Sequence, residues 1–285
     1  MKNFRKIRGL IELLRPELPF AAGVCVIIGE MIASGSFPSS LNLVLGFIWG
    51  FFLSSPAMII NDYFDIEVDR VNSSHRPLAS GLIQPASAIV LAIITTVIGL
   101  ITSIFIDKSA FLLYIILWLI GFLYNWKLKE TGLLGNALVG ISVASTFIVG
   151  GILVGKPWSE GAWLLSLIVF LFDLGEEIAA DAMDIEGDKK RNVKSIAILI
   201  GKKNALYISA LLFVLVILLT FHPVLLNLLG TSYVVIISVM DFMICFLVMK
   251  LLKSLTAEAG RSYIRKIYLS ALVGLLIIMA SRIFV

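Results

Sequence analysis

Two acidic phrases carry the chemistry of this 285-residue chain. Asn61-Asp62-Tyr63-Phe64-Asp65-Ile66-Glu67-Val68-Asp69 is echoed by Asp181-Ala182-Met183-Asp184-Ile185-Glu186-Gly187-Asp188. Three aspartates repeat as D-x-x-D-x-x-x-D, and 62 to 181, 65 to 184 and 69 to 188 each differ by 119 positions. Each phrase ends an apolar stretch, where carboxylates are costly unless cations or partners hold them. Oxygen donors of this kind suit Mg²⁺, which takes one or two carboxylates together with waters and substrate phosphate oxygens. On a continuous helix, at about 100° per residue, Asp62, Asp65 and Asp69 share one narrow face. Asn61 extends that face, Glu67 points elsewhere, and Asp181, Asp184 and Asp188 repeat the arrangement. If the two helices face each other, up to six carboxylates converge on one cavity, and they cannot all stay ionised without cations.

Basic and amide groups flank both phrases. The first is followed by His75-Arg76-Pro77, a short loop, and the second by Lys189-Lys190-Arg191-Asn192-Val193-Lys194. Arginine forks and lysine point charges both suit phosphate oxygens, so these loops can complete a diphosphate site; topology-setting charge is the alternative for any single lysine. A third constellation, Tyr124-Asn125-Trp126-Lys127-Leu128-Lys129 with Asn136 beyond it, lies at the end of an apolar stretch. Trp126 reads as an interface anchor, whereas an amide such as Asn136 inside an apolar helix needs a partner. Asp173, Glu176 and Glu177 lie one to two turns ahead of Asp181, and Glu177 shares its face. They tune the metal site, read a substrate, or pair with a lysine.

The elements that must position these residues are membrane helices. Hydrophobic residues make up 59% of the chain and charged ones 15%, with a mean hydropathy of +1.02, far from the balance of a soluble domain. Nine apolar stretches approach the roughly 20 residues that cross a bilayer: 17–35, 40–62, 85–106, 109–125, 132–154, 162–180, 204–221, 230–250 and 264–284. With nine spans, 20 of the 23 lysines and arginines fall on the side of the N-terminus, leaving Lys108, Lys156 and Arg282 opposite. The positive-inside rule then makes the N-terminus and both aspartate phrases cytoplasmic. Four spans separate the phrases, so their helices run the same way and the repeat is parallel. One membrane-embedded domain over 1–285 is expected, with halves of about 1–131 and 132–285 carrying one phrase each. The basic start reads as the lead into a retained first helix. Cys25 and Cys245 read as buried and free. No basic stripe with interleaved aromatics suggests nucleic acid, and no protein partner is implied.

The two phrases, Arg76-Pro77, Asp184-x-x-x-Asp188 and the Tyr124–Lys129 segment together resemble the UbiA superfamily of intramembrane prenyltransferases. That resemblance implies an all-α bundle of nine transmembrane helices around a central cavity, with the aspartates at its cytoplasmic mouth. It implies Mg²⁺ held by Asn61, Asp65, Asp69, Asp184 and Asp188, and a prenyl diphosphate donor met by Arg76, Lys129, Lys189 or Lys190. Tyr124, Lys127, Asn136 and Glu177 join the site, and Asp62 or Asp181, or diphosphate itself, takes the proton. The wording of Asn61 to Gly81 and Glu176 to Gly201 points to the ether-lipid branch. Its reaction is geranylgeranyl transfer to the hydroxyl of geranylgeranylglyceryl phosphate in archaeal membranes. Prenylation of an aromatic or tetrapyrrole acceptor is the alternative. A divalent-cation transporter is the non-enzyme reading, disfavoured because a transporter places its carboxylates near the midplane and on both sides.

Overall fold

The computed structural model describes residues 2–190, 193–225 and 231–281, and among these the only regular elements are helices. They are α1 (Lys2–Leu14), α2 (Glu17–Ser34), α3 (Ser40–Phe64), α4 (Ile66–Asn72), α5 (Pro85–Ile106), α6 (Lys108–Trp126), a 3₁₀ turn (Leu128–Thr131), α7 (Leu133–Leu153), α8 (Glu160–Met183), α9 (Ile185–Lys190), α10 (Ile196–Ile200), α11 (Lys202–Thr220), α12 (His222–Leu225), α13 (Thr231–Leu252) and α14 (Ala257–Ser281). Among the described residues eight helices are long and apolar enough to cross a membrane. The expected sixth span is α8, which has the length, at 24 residues, but carries Glu160, Asp173, Glu176, Glu177 and Asp181. Charge, not length, sets it apart. The protein is a multi-pass membrane protein.

Local chemistry sets where helices begin and how they touch. Ser39, Asp107 and Ser159 cap α3, α6 and α8 by accepting from the backbone amides of Asn42, Ser109 and Ala162, satisfying donors that a helix start leaves orphaned. Pro56 lies inside α3. It lacks an N–H, so the carbonyl of Phe52 one turn back loses its helical donor. The buried Tyr114 of α6 supplies the missing bond, its hydroxyl donating to Phe52 O at 2.8 Å. Asn125 then fastens the other end of α6 to α3, donating to Ala57 O at 3.1 Å. Where α2 crosses α7, a Cβ on Gly29 or Gly150 would collide with the facing backbone, the close approach that small residues permit in a membrane. Cys25 is buried as expected, but Cys245 is exposed on the outside of α13. The reason is that a membrane helix can leave one face to lipid.

Inside the bundle is a cavity of about 880 Å³. Leu18, Ala21, Ala22, Cys25, Ile28 and Ile32 present one face of α2 to it. Arg15 lies on its wall at one end and Gly35 at the other, which at 1.5 Å per residue makes the cavity about 30 Å long.

Candidate active site

The two aspartate phrases meet at one end of the bundle because a single segment touches both. Lys129, in the 3₁₀ turn, forms an ion pair with Asp65, while Asn136, on the first turn of α7, donates to Asp181 Oδ2 at 2.9 Å. The loop after the second phrase docks on the same turn, Lys194 N–H donating to Glu130 O at 3.0 Å. Gly132 has a φ of 68°, and any Cβ there would strike the Lys194 carbonyl. That contact and the left-handed backbone together call for glycine.

The phrases do not lie on continuous helices. α3 stops at Phe64 and α8 at Met183, so Asp65 and Asp184 are the capping residues at which each chain bends into the short helices α4 and α9. The single helix face expected from periodicity is therefore divided between two helices. At the first bend the helical spacing survives, with Asp65 N–H donating to Asn61 O; at the second it tightens, with Asp184 N–H donating to Asp181 O. Gly187 packs over the second bend, where a Cβ would stand 2.6 Å from Asp184 Oδ1. Glycine in Glu186-Gly187-Asp188 thus leaves room for the Asp184 carboxylate.

Cations fill the space between the first phrase's carboxylates. Asp62 is 3% exposed and accepts at Oδ1 from both Arg15 and Arg76. Arg76 Nη1 also donates to Asp69 Oδ2 at 2.6 Å, so Asp62 and Asp69 still share a side despite the bend. Asn61 donates to Asn125 Oδ1 at 2.9 Å. Glu67 pairs outward with Arg70, away from the site as its spacing requires.

Of the expected site residues, Asn61, Tyr124 and Glu177 line the cavity, together with Asp173 and Glu176. Among the described residues no group of three or more acidic, histidine or cysteine side chains is arranged to hold a metal ion. Arg15, Arg76 and Lys129 stand at the first phrase and pair with Asp62, Asp69 and Asp65. The donor set itself is all oxygen, the chemistry of a hard divalent ion. Lys127 is exposed at the end of α6, Lys189 is exposed on α9, and the side chain of Lys190 lies outside the described residues, as do Arg191 and Asn192.

Arg15 is the site residue that sequence reasoning missed. It is 47 positions from Asp62 and belongs to no motif. Among the described residues it is the only one besides glycines with a positive φ, 44°, a conformation costing about 1 kcal/mol for a side-chain-bearing residue. The turn between α1 and α2 thereby points its guanidinium at Asp62. An arginine followed by Pro16 at the edge of the first span was the available signal.

Comparison with known proteins bears on the family and the fold. A family model described as the UbiA prenyltransferase family matches residues 22–277. A digeranylgeranylglyceryl phosphate synthase from Pyrococcus abyssi is 36% identical over 219 residues, covering 77% of this chain and 78% of the relative. A solved structure of digeranylgeranylglyceryl phosphate synthase in membranes is 32% identical, with a TM-score of 0.76 over 95% of this chain and 98% of that one. A homologue from Archaeoglobus fulgidus, bound to GPP and Mg²⁺, shares the fold at 21% identity and a TM-score of 0.69, over 95% and 99% of the two chains.

Proposed function

The chain belongs to the UbiA prenyltransferase family, and from that premise we propose that it transfers a geranylgeranyl group from its diphosphate to the free hydroxyl of geranylgeranylglyceryl phosphate, forming the second ether of an archaeal membrane lipid. The observation that carries this reading is a doubled set of oxygen donors, laced with arginine and lysine, at the end of an apolar cavity about 30 Å long. The names of the relatives supply the acceptor. The transporter alternative has no support in a family of prenyltransferases.

Asn61, Asp65, Asp69, Asp184 and Asp188 would hold Mg²⁺, the ion found with GPP in the Archaeoglobus homologue. Bound there, the ion supplies charge neutralisation for the departing diphosphate. Arg76 and Lys129, paired in this structure with Asp69 and Asp65, turn their N–H groups to the phosphate oxygens, with Lys127, Lys189 and Lys190 as outer positive charge. These contacts strengthen as the allylic C–O bond breaks and its electron pair leaves with diphosphate, so they favour the transition state over the bound donor. The acceptor hydroxyl oxygen then bonds to the allylic carbon, and its proton passes to Asp181, Asp62 or the departing diphosphate. Asn136 orients Asp181. Tyr124 lines the reacting end of the cavity and Glu177, beside it, reads the acceptor. The apolar walls hold the prenyl tail and keep water from the cation. By the distribution of lysine and arginine, this end is cytoplasmic.

The reading is tested by incubating purified protein with geranylgeranyl diphosphate, Mg²⁺ and a panel of acceptors and weighing the products. Digeranylgeranylglyceryl phosphate is expected; prenylated quinone precursor or chlorophyllide in its place would overturn the assignment.

A further inference from the structure

The bundle has an element that neither spans nor lines anything: α1, 13 residues long, too short to cross a bilayer. Its surface divides into three arcs when its residues are set at about 100° each. Gly9 and Leu13 are buried and face the bundle. Phe4, Ile7 and Ile11 fall within about 60° of one another and are 74%, 57% and 51% exposed. Arg5, Arg8 and Glu12 form the third arc, and Arg5, Lys6 and Arg8 are all exposed. Arg8 pairs with Glu12 at 2.9 Å, and Arg5, Lys6 and Arg8 together leave the exposed surface of α1 with more positive than negative charge. An apolar arc on a short helix with such a surplus is the pattern of a segment lying in a membrane interface, its apolar side among acyl chains and its cations among anionic headgroups.

The bundle side of α1 presses on the first half of the site. Leu13 packs with Leu78 and Ile83 in one buried cluster, and a Cβ on Gly9 would stand 3.0 Å from Leu82. Leu78 is two residues beyond Arg76, and the C-terminal end of α1 runs straight into Arg15. Both guanidinium groups that meet Asp62 are thus carried by segments that α1 touches. We propose that α1 is seated on the anionic surface of the leaflet beside the aspartate phrases, and that this seating positions Arg15 and Arg76 for catalysis. Arg15 and Arg76 are the groups moved; Arg5, Lys6 and Arg8 are positioning residues that touch lipid and not substrate.

The full chain is placed in nanodiscs of zwitterionic lipid alone or with an anionic fraction, and turnover is compared with that of the R5Q/K6Q/R8Q variant. Anionic lipid should raise wild-type turnover by about five-fold, the factor of one basic residue's headgroup attraction, and leave the variant at the zwitterionic level. Equal wild-type turnover in both lipids, or a variant that keeps the response, overturns the proposal. A second measurement is independent of the acceptor and of catalysis. A spin label on I7C, in a C245S background, should be reached by oxygen more than by a water-soluble relaxant in anionic discs; a water-exposed label there overturns the seating.

Discussion

Positions 54, 57 and 58 of α3 and positions 173, 176 and 177 of α8 occupy the same register of the repeat, each pair 119 apart, and all six line the cavity. The first set reads Ser54, Ala57 and Met58; the second reads Asp173, Glu176 and Glu177. Immediately above them the two halves agree, aspartate for aspartate. On the function proposed above, the repeat keeps symmetry where a diphosphate with its ions would be gripped from two sides, and departs from it on the walls below, where donor and acceptor would be told apart. Asp62, Asp65 and Asp69 are met by cations from α1's end, the Arg76 loop and the 3₁₀ turn, and Asn136 donates to Asp181.

The symmetric part is broken most severely at the bends. Asp65→Ala and Asp184→Ala should each lower kcat by about 10³-fold, the loss of a preorganised charge-stabilising contact, and chelation of divalent ions should do the same to the wild type. A product assay with labelled donor checks all three; a large difference between the two variants would mean that one half alone carries the clamp. Arg76→Ala comes next, at about 10²-fold in kcat/KM for the donor, since it removes a guanidinium bonded to two aspartates. The asymmetric part is sharpened by Glu177→Gln, expected to raise KM for the acceptor about ten-fold while leaving that of the donor unchanged, against Met58→Gln, expected to change neither. Steady-state kinetics with each substrate varied separates them. The smallest effect lies outside the site: Tyr114→Phe strands the Phe52 carbonyl at the Pro56 break and should cost about 1 kcal/mol of stability, read as a lowered Tm with kcat intact.

Much of this arrangement was legible before the structure. Apolar length marked the spans, and the expected 40–62 and 85–106 fall within two residues of α3 and α5, because membrane helices are defined by hydropathy and little else. That Asn136 needs a partner was readable, because an amide inside an apolar helix calls for one; that the partner is Asp181 was not. The bends at Asp65 and Asp184 were not legible, since periodicity assumes the continuous helix that it then uses to place side chains. Nor was the role of Arg15 readable, because its partner is brought to it by tertiary packing of α1 and α3. The ion pairs of Arg76 and Lys129 lay between these cases: the residues were visible as phosphate-binding chemistry, but their contacts with Asp69 and Asp65 depend on a three-dimensional proximity that no spacing encodes.

Donor binding tests the two-sided clamp most directly. Titration of wild type, Asp65→Asn and Asp184→Asn with geranylgeranyl diphosphate in the presence of Mg²⁺, followed by calorimetry, separates grip from turnover. Each substitution should weaken binding by about 10²-fold, through loss of one side's charged contacts, and neither should bind better than the other by more than a few-fold. Wild-type affinity in either variant would contradict a clamp built from both halves.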